Sequence, residues 1–406
     1  MKILVISHKP PYPVVDGGCF AMTRFLENLN SLNPIPEITY FSLSTHKHPF
    51  NISKFPTKKF QKTKFQNHFV NTKLNPFRAL LELLSGKSYN LSRFYDKHVS
   101  SEVLKLFNQN NYDQIIFESL FSCVYLNDLK ALSNVKFVYR AHNIENQIWK
   151  DLSKATKNPI KKWYLSNLQK KLEKFEYNFL KTVDLILPLS NNDLEVIKSK
   201  TDKETILIPV SIDIPAQQAD YNKVSLCFIG AFNWTPNIEA IQWFASDIFP
   251  TLKLEFPLLE LHIAGSHSEN ISNLKNIKGI KLHGFVDSSL DFIAQHGIFI
   301  APLKSGSGVK MKVLEAMSIG LPCSLTPKSA EGISGDLILN ENVNDFISDI
   351  NALLSDEELR IKRGIEGQQI VKSQFGNEAV IRILSERFDS IKASENILNI
   401  ATQQSE

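Results

Sequence analysis

Cysteine is scarce in this chain of 406 residues: Cys19, Cys123, Cys227 and Cys323 lie far apart with no C-x-x-C spacing. That pattern suggests neither a disulfide framework nor a cysteine zinc site, and it fits a reducing, cytoplasmic setting. Long apolar runs are missing too, and none nears the ~20 residues that spanning a bilayer needs. Met1–Ile6 is apolar but too short for a signal segment, and it runs straight into His8-Lys-Pro-Pro-Tyr12, so a first strand is expected. No G-x-G-x-x-G dinucleotide loop occurs. The net charge of +4 is mild and no nucleic-acid motif accompanies it, so nucleic acid is not an expected partner.

What is there is ordinary globular composition, 43% hydrophobic and 22% charged, in a chain long enough for two domains with separate cores. Strand-like runs alternate with helical patterns twice over. The first half offers Lys2–Ile6, Glu37–Ser42, Gln114–Phe117, Val135–Tyr139, Asp184–Pro188 and Thr205–Ile208. The second offers Ser225–Gly230, Leu259–Ala264, Gly279–His283, Gly297–Ala301, Pro322–Leu325 and Asp336–Leu339. Such alternation predicts an α/β architecture with two parallel sheets and crossover helices. The polar stretch Asp213–Asn222 reads as a linker. It predicts a first domain over 1–215 and a second over 216–375. Residues 376–406 then form a C-terminal helix that crosses back to the first domain, and a polar tail.

The most informative segment is Lys304-Ser-Gly-Ser-Gly-Val-Lys-Met-Lys-Val-Leu-Glu-Ala-Met-Ser-Ile-Gly-Leu-Pro322. It reads as a strand end, a glycine loop and a helix, with Ser307 as N-cap. Gly306 and Gly308 let backbone approach a ligand, and first-turn amides favour a phosphate. Lys304, Lys310 and Lys312 add positive charge, and Glu315 can accept hydrogen bonds from ribose hydroxyls. The bland alternative is an ordinary loop with Lys312 and Glu315 as a helix-surface pair, worth roughly 0.2–0.5 kcal/mol.

Other candidates stand at strand ends, where sheets of this type bind ligands. Gly17-Gly18 precedes the helical Phe20–Leu32 and could meet phosphate or sugar oxygens, with a plain turn as the alternative. His142 follows the strand ending at Tyr139, between Arg140 and Glu145, and Glu118 lies just past Phe117 on the same rim. Gly230 closes a strand before a helix with Thr235 as N-cap and Pro236 at N1. Phe285 and Val286, in Leu282-His-Gly-Phe-Val-Asp287, offer backbone to a nucleobase edge. Two basic stretches carry aromatics: Lys54–Arg78 with Phe55, Phe60, Phe65 and Phe69, and Lys161–Lys171 with Trp163 and Tyr164. An anionic membrane face is the partner these suggest, against the alternative of merely solvated charge.

From Leu226 to Ile333 these motifs resemble the nucleotide-sugar-binding half of retaining glycosyltransferases of family 4, in a bacterial cell-surface-polysaccharide branch. The match rests on Gly230 with Pro236-Asn237, on His283-Gly-Phe-Val-Asp287, on the Gly306–Met317 run and on Ala330-Glu-Gly332. The first domain matches more thinly, at Pro11-Tyr-Pro13, Gly17-Gly18, Arg140–Glu145 and Leu187–Ser190. The resemblance implies the GT-B fold, two Rossmann-like domains across a cleft. It implies a UDP- or GDP-sugar donor, a glycan or lipid-linked acceptor, and no metal or other cofactor. It makes Glu315 the ribose ligand, the Gly306–Val309 backbone the holder of sugar and diphosphate, and His142 the histidine near the reacting sugar. Two departures stand out. Ser307 occupies the place of the usual glutamate eight residues before the ribose ligand, and Ala231-Phe-Asn-Trp-Thr235 replaces the usual Arg and Lys that clamp diphosphate. Lys310 and Lys312, with Lys304 behind them, are then the cations left for catalysis. A nucleotide-sugar 2-epimerase and a non-catalytic partner subunit share the fold; the first would need cleft carboxylates the sequence does not place, and the second would lose the intact glycine loop.

Overall fold

The computed structural model describes residues 1–387 apart from 85, 131, 133, 134 and 307. Two compact units emerge, Met1–Ser211 joined by the chain from Val380, and Ile212–Ala379. The division falls between Ser211 and Ile212, ahead of Pro215.

In the first unit seven parallel strands, β1 Lys2–Ser7, β2 Glu37–Ser44, β3 Thr63–Phe69, β4 Gln114–Glu118, β5 Lys136–Ala141, β6 Leu185–Pro188 and β7 Glu204–Thr205, form one sheet. Their order is β3-β2-β1-β4-β5-β6-β7. Ile3–Ile6 and Ile115–Phe117 are wholly buried, as a parallel sheet covered on both faces requires. Helix α1, Gly17–Asn30, packs Phe25, Leu26 and Leu29 against Ile3 and Val5. Farther on come α2 Pro76–Leu84, α3 Glu145–Ala155 and α4 Pro159–Leu180. The N-terminus of α3 has no cap of its own; the Glu176 carboxylate of α4 takes its first amides, Glu145 N and Asn146 N, each at 2.9 Å. Residues 377–387 are helical, and Val380 and Leu384 join the core built on Ile3, Val5 and Ile38.

Strand β3 lies inside the first basic-aromatic stretch, where lysines hid its alternation. Phe55 and Phe60 are buried, and Phe65 packs on both at ring separations of 4.9 and 5.8 Å. Those three rings therefore serve the core and not a membrane-facing surface; Phe69 alone of the four is exposed.

The second unit holds β8 Leu226–Ile229, β9 Leu261–Ala264, β10 Ile280–Gly284, β11 Ile298–Ala301 and β12 Cys323–Leu325, parallel in the order β10-β9-β8-β11-β12. Its helices include α5 Thr235–Trp243, α6 Ser289–Ile293, α7 Met311–Ser318, α8 Val343–Ser355 and α9 Glu357–Phe375. Several expected boundaries move. Thr205–Ile208 yields only Glu204–Thr205, and Asp336–Leu339 yields one isolated bridge, Leu325 to Leu339. Trp234, not Thr235, is the N-cap of α5, and Lys310, not Ser307, is the N-cap of α7. Ser307 itself lies outside the described residues. Gly17 and Gly18 stand within the first turn of α1 rather than in a loop before it. All four cysteines are free and buried. Among the described residues no helix is long and apolar enough to cross a membrane.

Candidate active site

In a parallel sheet every strand points the same way, so the segments after the strands gather at one edge. A crevice opens there where the chain order reverses. In the second sheet that reversal falls between β8 and β11. Gly230 follows β8, and the Pro302–Lys310 loop follows β11.

Backbones crowd at this edge. A Cβ added to Gly265 would sit 1.7 Å from the Gly230 carbonyl oxygen, and Gly265 has φ of +142°, so no other residue fits. Gly306 and Gly308 also lie at positive φ, +99° and +76°. The start of the loop is pinned from β12's far end: Thr326 Oγ1 donates to the Leu303 carbonyl at 2.5 Å, and Ser329 Oγ accepts from Leu303 N at 3.2 Å.

Helix α7 carries the charge. Lys312 projects back onto β8, donating to the Ile229 carbonyl at 3.0 Å and to Asn237 Oδ1 at 2.7 Å, over the Phe228 ring at 4.1 Å. Among the described residues no carboxylate balances it. Burial first, and Lys310 second, lower its pKa to about 7. Lys310 donates to the Gly308 carbonyl and pairs with Glu331 at 3.3 Å; burial lowers its pKa while Glu331 opposes the shift. Glu331 also meets Lys328 at 2.9 Å. Glu315, one turn after Lys312, accepts from Ser289 Oγ at 2.9 Å, and burial raises its pKa. Lys312 and Glu315 thus bond to different partners, and the helix-surface-pair alternative falls. Asn237 is the junction of the site: its Nδ2 donates to the Ala231 carbonyl at 2.9 Å while its Oδ1 holds Lys312.

Of the other second-unit candidates, Phe285 is exposed and Val286 half-buried, directly after β10. Lys304 is exposed with its ammonium 3.3 Å from the centre of the Trp243 ring, a cation–π contact that occupies it away from the α7 cations.

In the first sheet the order reverses between β1 and β4. Glu118 ends β4 and Arg140 lies in β5 opposite it, with His142 two residues on. Glu118 Oε2 meets His142 Nε2 at 2.5 Å and Arg140 Nη1 at 3.3 Å, and all three side chains are buried. Burial raises the Glu118 pKa, but Arg140 and His142 outweigh it and hold it below the ordinary value. Burial lowers the His142 pKa, opposed by Glu118. The ionised Glu118 carboxylate can only accept, so the short contact assigns the proton at Nε2 to His142. Neutral His142 then keeps Nδ1 as a hydrogen-bond acceptor.

The Gly17–Gly18 expectation changes here. The Asp16 carboxylate caps α1 at Cys19 N, 2.8 Å, and itself holds Lys9 at 2.6 Å and His48 at 3.2 Å. A Cβ on Gly18 would meet Lys9 Nζ at 2.7 Å, so this glycine makes room for a cation. The anion at this helix end is the protein's own.

Sequence reading missed Ser289, Thr326, Ser329 and Lys9, and it named Asn237 only within a motif, without its contacts. Each acts by contact across the fold; only the N-cap spacing of Asp16 before the α1 helix carried a local signal.

Residues 223–356 match the family model described as Glycosyl transferases group 1. The chain is 24% identical to an uncharacterised 44.6 kDa protein in the cps region of Klebsiella pneumoniae, over 98% of both. In structure it is similar to sucrose-phosphate synthase from Thermosynechococcus elongatus, with a TM-score of 0.68 at 14% identity over 97% of this chain and 100% of that one. HepE of Anabaena, solved with UDP, gives 0.63 at 13% identity over 96% of this chain and 100% of that one. The architecture is the GT-B fold that the motifs implied. The group 1 match identifies the second unit as a glycosyltransferase domain, and the chain as a glycosyltransferase.

Proposed function

We propose that this glycosyltransferase moves a sugar from a UDP- or GDP-sugar to a hydroxyl of a glycan or lipid-linked acceptor, with retention at the anomeric carbon and without a metal. One observation carries the reading most: Lys312 is half-buried, its desolvated ammonium has no carboxylate partner among the described residues, and it stands at the switch point of a parallel sheet one turn before Glu315. A buried ammonium without an anion is costly unless a ligand brings one. A departing diphosphate is such an anion, and Lys310 and the amides beside Gly306 and Gly308 add to its neutralisation. Glu315, held by Ser289, is proposed to accept from the ribose hydroxyls, and Gly230, Phe285, Val286 and Val309 to border the donor.

The leaving phosphate takes the acceptor proton, so no strong protein base is required. His142 is the first unit's proposed contribution. Fixed by Glu118, it presents Nδ1 to accept from a sugar hydroxyl, and as a neutral ring it sets no positive charge against the one that develops at the anomeric carbon. Gly18, over which Lys9 and Asp16 lie, and Gly17, in the same first turn of α1, are not carried forward as phosphate ligands. Support for a polysaccharide role comes from the cps-region relative, and for the nucleotide from the UDP and UDP-glucose bound by HepE.

The test is direct. Purified protein is incubated with UDP- and GDP-sugars and a panel of acceptors, and proton NMR follows nucleotide release and the anomeric configuration of product. Release with retained configuration supports the reading. An inverted product overturns the retaining claim, and an epimerised nucleotide sugar with no transfer overturns the transferase claim.

A further inference from the structure

A second histidine stands at the crevice of the first sheet. His8 follows β1 directly and is half-buried. In the sheet register Ser7 lies opposite Glu118, and Glu118 opposite Arg140. His8 and His142 therefore leave the same edge, on either side of β4.

Glu118 orients both rings. Its backbone carbonyl meets His8 Nδ1 at 3.3 Å, and its carboxylate meets His142 Nε2 at 2.5 Å. A carbonyl and an ionised carboxylate can only accept, so His8 carries its proton on Nδ1 and His142 on Nε2. Each neutral ring keeps one bare nitrogen, Nε2 on His8 and Nδ1 on His142. Neither has a hydrogen-bond partner among the described residues.

The surroundings of His8 hold it in that form. Its ring lies 5.4 Å from that of Phe121 and 6.1 Å from that of Phe94, centre to centre, and neither phenyl ring can donate to Nε2. Burial first, then Lys9 and His142, keep its pKa well below the ordinary value, with His48 adding to the effect and the Glu118 carbonyl opposing it. Lys9 is itself paired with Asp16, which also holds His48. A ring so placed is a poor base and a steady acceptor. Two bare lone pairs at one edge repel phosphate and carboxylate and favour a ligand that donates from hydroxyls. Aromatic walls with a few fixed polar atoms suit a ligand whose other surface is apolar C–H, and a pyranose offers both.

We propose that His8 is a sugar-binding residue whose Nε2 accepts a hydrogen bond from a pyranose hydroxyl in the first unit's crevice. This rests on the transferase reading and deepens it, giving the first unit a second acceptor besides His142 Nδ1. The hydroxyl belongs to the acceptor or to the transferred sugar, and the test separates the two.

Ring nitrogens can be read directly. In protein with isotopically labelled histidine at pH 7, long-range proton–nitrogen correlation spectra are assigned by the signals lost in His8→Phe and in His142→Ala. They should show both rings neutral, with the proton on Nδ1 of His8 and on Nε2 of His142. Glucose, galactose and mannose, free and as UDP or GDP conjugates, are the probes. At least one should move the bare Nε2 of His8, whereas UDP and GDP alone should not. A shift with free hexose assigns the hydroxyl to the acceptor; a shift with the conjugate alone assigns it to the transferred sugar. His8→Phe keeps a ring against Phe121 and should weaken that sugar's binding about fivefold, the worth of one neutral hydrogen bond, with UDP or GDP affinity unchanged. A charged His8, a proton on its Nε2, no shift with any sugar, or equal sugar affinity in His8→Phe overturns the proposal. Failure to bind UDP and GDP counts instead against the transferase reading, since the tautomers and the free-hexose arm need no nucleotide.

Discussion

Replacing Lys312 by methionine keeps the aliphatic stem over Phe228 and removes a cation that no carboxylate among the described residues balances. In the free protein this ammonium rests on two neutral acceptors, and burial holds its pKa at about 7. A diphosphate beside it would favour the charged form and raise that pKa. The bound state then carries more protons than the free state at any pH above 7, so affinity for a nucleoside diphosphate must fall as pH rises. From pH 7 to pH 9 the protonated fraction of the free site drops from about one half to about one hundredth, a loss of roughly fiftyfold in affinity. Losing the charged hydrogen bond outright costs about 1.5–3 kcal/mol, or roughly tenfold to a hundredfold at pH 7. Isothermal titration of UDP and GDP across this range, with wild type and Lys312→Met, reads both numbers. The difference between the two proteins matters, because the nucleotide's own ionisation cancels in it. Parallel pH profiles for wild type and variant refute the argument: Lys312 would then be a structural tie between α7 and Asn237.

Glu315→Ala should weaken UDP or GDP binding by about 1.5–3 kcal/mol without lowering the melting temperature; unchanged affinity in titration calorimetry returns Glu315 to a simple partner of Ser289. His142→Ala should lower kcat and leave nucleotide affinity intact, and Glu118→Gln should do the same with a shifted pH–rate profile, since the carboxylate opposes the burial that lowers the His142 pKa. Lys310→Met should cost turnover, roughly 10²–10³-fold in steady-state assays, and leave binding of a nucleoside monophosphate nearly unchanged. Gly265→Ala should be severely destabilising in thermal unfolding, by about 3 kcal/mol or more, because its methyl group would overlap the Gly230 carbonyl.

The strands that were legible in the sequence are those buried on both faces. Ile3–Ile6, Ile115–Phe117 and Ile298–Ala301 announce themselves as short apolar runs bounded by polar residues. Strand β3 did not, because Thr63–Phe69 is half-exposed and carries a lysine, a glutamine and an asparagine among its few apolar residues. The glycine loop and Glu315 were legible because their chemistry is contiguous. Asn237 and Ser289 were not, because their roles appear only when α5 and α6 come to lie beside α7. The surroundings of Gly17-Gly18 were hidden for the same kind of reason: a glycine pair before a helix cannot reveal that Asp16 caps the helix and that Lys9 fills the space over Gly18.

The central claim is sugar transfer from a nucleotide donor by the site on α7. Its most direct measurement is the release of UDP or GDP from the matching nucleotide sugar, followed by proton NMR in wild type and in Glu315→Ala at equal protein concentration. Release by wild type, at even the slow rate of hydrolysis to water, together with its loss in the variant, is the expected result. Neither release nor binding of any nucleoside diphosphate by the folded wild-type protein would contradict it.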